Sequence, residues 1–526
     1  MRWSPAVCLA VVAIASIGEA AKILILFPFP GRSHGILGEA FVRLLSDAKH
    51  EVTYVTTFPI ENPPPNVRQV DVNSNLDLQK AAMAPMMNIT AIMNKEINIG
   101  DMTAMFNLIL SIGRSTLENE NMKKFINDPN EKYDLIIIEW MFTELYTGLS
   151  ALFECPYIWF SSIEPHWSVL KLIDEHLNPA YNPDGLFSGE VPPFSFIVRV
   201  KELLSQVVGT LIREYYSLPL EKKDYEKIFG PIFEKRGKVL PPYEELRFNG
   251  SLMLGNSHVS LGQATRIPQN FKPIGGYHIN PKLKPLPDDL KKIMDGAKNG
   301  VIYFSMGSNL KSKDMPDQMK KDLLKMFGTL KYTVIWKFED VLLNIPKNVR
   351  ILQWAPQPSI IAHPNCVLFI THGGLLSTTE AIHYGKPIIG IPVFGDQPMN
   401  VDRAVHKGIA KRVDLTNKLP EDLKVAIEEI LGDPKYSQTV KELSMIYHDR
   451  PATPGAELVH WVEHVVRTRG APHLRSPALH VPWYQKMYLD LAGLIIVSLM
   501  LLKHIIRRLC CSKNKNKKAT SEKKNK

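Results

Sequence analysis

Cysteine is scarce, with five in 526 residues. Cys8 lies in the leader, and Cys510 and Cys511 lie in the tail. Only Cys155 and Cys366 remain for the body, one in each half. That excludes a disulfide framework and leaves buried free thiols as the expectation. No acidic metal-binding cluster is evident. A basic surface is also missing once the charge is located. The formal charge is +10, but from Lys503 onward ten lysines and arginines face one acid, Glu522. The rest is near neutral, which argues against nucleic acid as a partner. What is present is apolar: 45% hydrophobic residues over a length that implies two or more domains.

The two ends read as addresses. Residues 1–20 carry Arg2, an apolar run from Ala6 to Ile17, and small residues at Gly18 and Ala20. This is the pattern of a secretory signal cut after Ala20; an uncleaved first helix is the alternative. Residues 484–506 read as a transmembrane helix, with Trp483, Tyr484 and Tyr488 at its start and a basic tail, 507–526, at its end. Its uninterrupted core, Leu491 to Leu502, is short against the ~20 residues a bilayer needs, with Asp490 and Lys503 at its borders. The positive-inside rule then puts the tail in the cytosol and the body in the lumen, a single-pass type I arrangement. Lys523 and Lys524 resemble a dilysine signal for endoplasmic reticulum retrieval, with chance a competitor in so lysine-rich a tail. Asn88-Ile-Thr and Asn249-Gly-Ser are glycosylation sequons that suit a luminal body.

The body alternates buried-strand patterns with helices. Lys22–Phe27 is a strand, Pro28–Gly35 a turn, Ile36–Ala48 an amphipathic helix and His50–Thr56 a second strand. Tyr133–Ile138, ending at Glu139, and Cys155–Phe160 continue the series, so residues 21–261 form a Rossmann-like α/β domain. Between Ser161 and about Asn249 the pattern loosens, and the stretch either shapes a pocket or packs as plain helices. Residues 262–300, rich in Pro, Gly and Lys, read as a linker. A second Rossmann-like domain spans 301–452, opening with the strand Val301–Ser305 and the turn Met306–Asn309. Residues 453–483 hold a helix that could return to the first domain and a pre-membrane segment.

One window, Trp354 to Gln397, concentrates chemistry. Cys366–Thr371 is an apolar run that ends in His372-Gly373-Gly374, and a helical pattern follows from Leu376 to Tyr384. Unpaired N–H groups and the positive end of the helix dipole make an anion site there. The glycines admit a ligand close to the backbone. His372 and Ser377 add donors. The indole of Trp354 suits a planar base, with Gln357 beside it, and Asp396-Gln397 suit sugar hydroxyls. Strand, turn and helix alone would be an ordinary βαβ unit. Together with Glu380 the set points to a nucleotide diphosphate carrying a sugar.

The other domain must then supply a base for an acceptor. His34, in the loop after the first strand, is placed for it. An imidazole that gains a proton needs an orienting carboxylate, and Glu139 ends a neighbouring strand; a helix cap or surface carboxylate is the alternative for Glu139. The leaving diphosphate is stabilised by the Gly373–Ser377 helix start, His372 and the Met306–Ser308 turn. With no acidic cluster, the helix dipole takes the place of a metal.

Phe369-Ile-Thr-His-Gly-Gly-Leu-Leu-Ser-Thr-Thr-Glu-Ala381 and Gly390-Ile-Pro-Val-Phe-Gly-Asp-Gln397 closely resemble the signature of the membrane-anchored UDP-glycosyltransferases, most like the insect members. The resemblance runs from Lys22 to the tail. It implies a GT-B fold, two Rossmann-like domains facing a cleft, and an inverting, metal-independent transfer from a UDP-sugar to a small lipophilic acceptor, with no other cofactor. By matching position it implies Trp354 on uracil, Gln357 near base and ribose, and Glu380 on the ribose hydroxyls. It puts His372, Gly374, Ser377 and Ser308 at the diphosphate, Asp396 and Gln397 at the sugar, and His34 as general base. Three positions depart from the family pattern. Glu139 stands where many members have Asp, and Leu376 where many have Asn. Leu252–Leu261 lacks the arginine that glucuronosyl enzymes carry near Leu254, which favours UDP-glucose over UDP-glucuronate. A catalytically weak UDP-sugar or lipophile carrier on the same scaffold is the alternative of another class. The acceptor and a homo-oligomeric state are left open.

Overall fold

The computed structural model describes residues 20–83, 89–94, 96, 102–184, 189–308 and 312–522. The leader, the Asn88 sequon and the Lys523-Lys524 signal lie outside those residues. By its contacts the chain divides after Arg475 into a body and a C-terminal unit.

The first half of the body is a seven-stranded sheet. Its strands are β1 (Lys22–Phe27), β2 (Glu51–Thr56), β3 (Val67–Asp71), β4 (Leu135–Trp140), β5 (Tyr157–Ser161), β6 (Met253–Gly255) and β7 (Phe271–Pro273). The order is β3-β2-β1-β4-β5-β6-β7, and every pairing is parallel. Parallel sheets are covered on both faces, and β4 and β5 are accordingly buried at every residue. Helix α1 (Arg32–Asp47) follows β1, and helix α2 (Phe196–Ile212) belongs to the long stretch between β5 and β6. The first sheet extends past residue 261: β7 lies inside the stretch read as a linker and pairs with β6. β6 and β7, three residues each, carry too little pattern to be seen from sequence alone.

The second half repeats the plan with six strands: β8 (Val301–Ser305), β9 (Thr333–Lys337), β10 (Val349–Leu352), β11 (Cys366–Thr371), β12 (Ile388–Gly390) and β13 (Ala410–Arg412). Their order is β10-β9-β8-β11-β12-β13, again parallel throughout. Helix α3 (Leu375–His383) follows β11 and helix α4 (Gln397–His406) follows β12. Trp336 is fully buried between Phe304, Phe327 and Phe338. Burying one such side chain contributes about 1.5–3 kcal/mol.

Helix α5 (Pro454–Arg467) returns to the first half. Its Leu458, Val462 and Val465 join Ile23, Ile25 and Phe41 in one apolar cluster. Arg450 and Tyr447, just before it, both donate to the carbonyl of Gly275 in the other connection, at 3.0 and 3.3 Å.

The C-terminal unit holds helix α6 (Leu489–Glu522). Its stretch Leu489–Leu509, 21 residues, is long and apolar enough to cross a membrane. The apolar helix starts at Leu489 rather than Tyr484: Trp483–Lys486 is a separate turn, and Tyr488 with φ of 54° breaks the two apart.

Candidate active site

Both sheets are parallel, so the carboxyl ends of their strands gather the loops that bear chemistry. At β1 the chain runs through Pro28 to Gly31, whose extended backbone caps α1. The N–H groups of His34 and Gly35 donate to the Gly31 carbonyl at 3.0 and 3.1 Å. His34 therefore sits in the first turn of α1, not in a loop before it. The helix begins four residues earlier than the apolar pattern suggests, because its first turn is held by Gly31 rather than by packing.

Glu139, near the end of β4, meets that turn. His34 Nδ1 lies 2.5 Å from Glu139 Oε1. The Glu139 side chain is fully buried and the His34 side chain nearly so. Burial by itself pulls the imidazole pKa down. The charge and hydrogen bond of Glu139, helped by Asp396 from the second half, more than offset it, and the pKa stands above the usual histidine value. With Nδ1 turned to Glu139, Nε2 is the nitrogen left for a substrate. Glu139 Oε2 has no hydrogen-bond partner among the described residues. A small apolar cavity lined by Phe29, Ile109, Ile112, Met141 and Tyr146 adjoins Glu139.

Across from this pair, β11 ends in Thr371, and Gly373, with φ of +81°, turns the chain into α3. A side chain at Gly373 would collide with Val401. The ring of His372 lies against both Gly307 and Gly374, so it bridges the β8 turn and the start of α3. Burial, with Lys337 adding to it, drops the His372 pKa to about 4, so the ring is neutral at pH 7 and a donor by its N–H alone. Ser308 is half-buried in the β8 turn, and Ser377 is buried in α3. Gln357 Nε2 donates to Glu380 Oε2 at 2.7 Å and to Ser377 Oγ at 3.3 Å. Burial lifts Glu380 to about 7, against a partial lowering by Gln357. Trp354 stands 65% exposed, with Lys337 Nζ 5.8 Å from its ring centre.

Asp396 stands at the N-terminal border of α4, where its side chain accepts from Asn400, and burial raises its pKa. Gln397 Oε1 accepts from the N–H groups of Val393 and Phe394 at 2.9 and 3.2 Å, fixing the loop before it. Asn400, which the sequence motif does not single out, donates to Asp396 Oδ2 and to the Gly373 carbonyl. Lys337 was likewise missed; its Nζ donates to the Gly307 carbonyl at 2.8 Å. Leu376 packs into the apolar cluster of the first sheet, a contact between the halves where the family pattern has a polar residue. Leu254 is fully buried in β6. Asn249 is exposed, next to the buried Ser251 of its sequon. Two groups thus form: His34 with Glu139, and the β11–α3 and β12–α4 loops with Trp354, Gln357 and Glu380. Asp396 links them through its field at His34.

The chain is similar to glycosyltransferases in sequence and in fold. UDP-glucosyltransferase 2 of Dactylopius coccus is 30% identical over 498 residues, covering 94% of each chain. UDP-glucuronosyltransferase 2B7 of Homo sapiens is 30% identical over 399 residues, covering 74% of this chain and 72% of its own. Among solved structures, CalG4, the calicheamicin glycosyltransferase, superposes with a TM-score of 0.55 at 16% identity, covering 86% of this chain and 100% of that one. That likeness identifies the fold as GT-B. The family model for "UDP-glucoronosyl and UDP-glucosyl transferase" matches residues 38–525, and the chain is a glycosyltransferase that belongs to that family.

Proposed function

We propose that the enzyme transfers glucose from UDP-glucose to a hydroxyl of a small lipophilic acceptor, with inversion to a β-glycoside. The observation that carries this reading is the part-buried 2.5 Å contact between His34 and Glu139, with Asp396 acting on the same imidazole from the facing half. His34 Nε2 takes the acceptor's proton while Nδ1–H stays on Glu139. The acceptor oxygen bonds to the anomeric carbon from the face opposite UDP. The bond from that carbon to the diphosphate oxygen breaks, and its electron pair leaves with UDP. The start of α3, neutral His372, Ser308 and Ser377 receive that charge. Trp354 stacks on uracil, Gln357 and Glu380 take the ribose, and Asp396 and Gln397 hold the sugar. The reading needs no cofactor beyond the UDP-sugar itself.

UDP-glucuronate is the second reading, and one observation bears on it. Arg403, in α4, acts electrostatically on Asp396 and on Glu164. The charge of this buried arginine is thus already shared between two carboxyl groups, which supports the neutral sugar. We further propose that α6 anchors the enzyme in the endoplasmic reticulum membrane with the body luminal, so that Asn88 and Asn249 meet the glycosylation machinery. Microsomes carrying the chain, given both donors with a panel of phenols and steroid alcohols, test the reading. Transfer from UDP-glucose that His34→Ala abolishes is expected. A preference for UDP-glucuronate overturns the donor choice, and UDP binding without any transfer favours a carrier.

A further inference from the structure

Helix α2 is built inside out. Its inward stripe is polar. Glu202, 3% exposed, accepts from the N–H of Asp184 at 2.7 Å. Four residues on, Gln206 is buried, and Gly209 lies against the indole of Trp167. Arg213, just past the helix end, pairs with Glu144 and with Glu221. The outward stripe is apolar: Phe196, Val200, Leu204, Val208, Leu211 and Tyr215 recur at helical spacing, all exposed, with Phe196 at 71% and Tyr215 at 80%. A helix on a water-bathed surface has the reverse polarity, and an apolar strip of this length marks an interaction face.

We propose that this face of α2 lies on a lipid bilayer, as a second membrane contact made by the body itself. Three observations favour lipid as the occupant. Aromatic rings stand at both ends of the strip, Phe196 at one and Tyr215 and Tyr216 at the other, the placement aromatic residues take at a membrane interface. Arg199 and Lys201, both exposed, flank the apolar strip with charge that complements anionic headgroups. The same chain carries the apolar helix Leu489–Leu509, which keeps a bilayer at high effective concentration. A bilayer also needs no shape-matched partner surface, in keeping with a single convex stripe. The contact would set the stretch between β5 and β6 against the phase into which lipophilic compounds partition. It does not depend on which donor or acceptor the enzyme uses.

The test uses the full chain in nanodiscs of phosphatidylcholine and phosphatidylserine, with both faces open to solvent. Leu204→Cys, in a background with Cys8→Ser, Cys510→Ser and Cys511→Ser, carries an environment-sensitive dye; Cys155 and Cys366 are buried. Val425→Cys, on the exposed side of Leu419–Gly432, is the reference, and Val208→Cys repeats the measurement should Leu204→Cys fold poorly. The expected result is quenching by doxyl-labelled lipid at least twofold stronger at 204 than at 425, with iodide quenching correspondingly weaker. Equal iodide quenching at the two sites overturns the proposal. Protection from both quenchers at 204, with dye-to-dye contact between copies, overturns it in favour of a second copy of the chain.

Discussion

Asn400 holds Asp396: its amide nitrogen donates to Asp396 Oδ2 at 2.8 Å and to the carbonyl of Gly373 at 3.1 Å. One side chain thereby ties the proposed sugar carboxylate to the glycine turn at the diphosphate. Asn400→Ala should free Asp396 while leaving in place every side chain proposed at the nucleotide; the Gly373 turn keeps its N–H bond to Thr371. We expect kcat to fall about 10-fold, the scale of one lost hydrogen bond to a charged group, while the Kd for UDP changes less than about threefold. Steady-state kinetics beside calorimetry of UDP binding check this. An equal loss in both would make Asn400 a general support for the domain.

The short contact of His34 with Glu139 sets a pH prediction. Glu139 raises the His34 pKa, so the base is protonated, and useless, only below that pKa. Glu139→Gln removes the charge and lowers the pKa. The acid limb of kcat/KM should move to lower pH, and the plateau should fall about 10²-fold or more, within the range of general-base effects. Glu139→Asp keeps the charge but shortens the reach by one methylene, so the limb should stay in place while the plateau drops about 10-fold. A pH–rate profile of the three enzymes separates these outcomes.

Donor affinity should depend on pH through Glu380, which burial lifts to about 7. Above that value the carboxylate is charged and, in its proposed role, would accept from both ribose hydroxyls; below it one oxygen carries a proton. UDP affinity should therefore rise as pH increases from 6 to 8. Glu380→Gln should bind about 10-fold more weakly and lose the pH dependence, read by titrating UDP across that interval.

Leu376 takes up apolar packing against the first half instead of offering a polar group. Leu376→Asn should lower stability by about 1 kcal/mol, the value of a half-buried leucine, and Tm with it. UDP affinity should rise a few-fold as a donor returns to the start of α3. A thermal melt with and without UDP reads both. Unchanged stability would mean that the contact carries no energy.

Much of the frame is readable without coordinates. β1, β4, β5, β8, β9 and β11 are runs of β-branched and apolar residues, and burial on both faces requires that composition. Trp354, Gln357, His372 and Asp396 lie within one window because a single strand–helix–strand unit brings them together. Three kinds of feature escape. β6, β7 and β13 are three residues each and take their conformation from the neighbour they pair with. Asn400 reaches the Gly373 carbonyl 27 residues away and Lys337 the Gly307 carbonyl 30 residues away, and no spacing signals such bonds. The polarity of α2 escapes for another reason: a period of 3.6 reveals that a helix has two faces, and only tertiary packing decides which one is turned inward.

The bonds from Arg450 and Tyr447 to Gly275 join the two places where the chain passes between the halves. Both crossings are thereby clasped at one carbonyl, so the halves share a single tie point along the chain. Because α5 ends on the first half, where Arg475 donates to the Asn249 carbonyl, the tether to α6 departs from the half that carries His34. The second half, though nearer to α6 in sequence, hands the chain back to the first before the body ends.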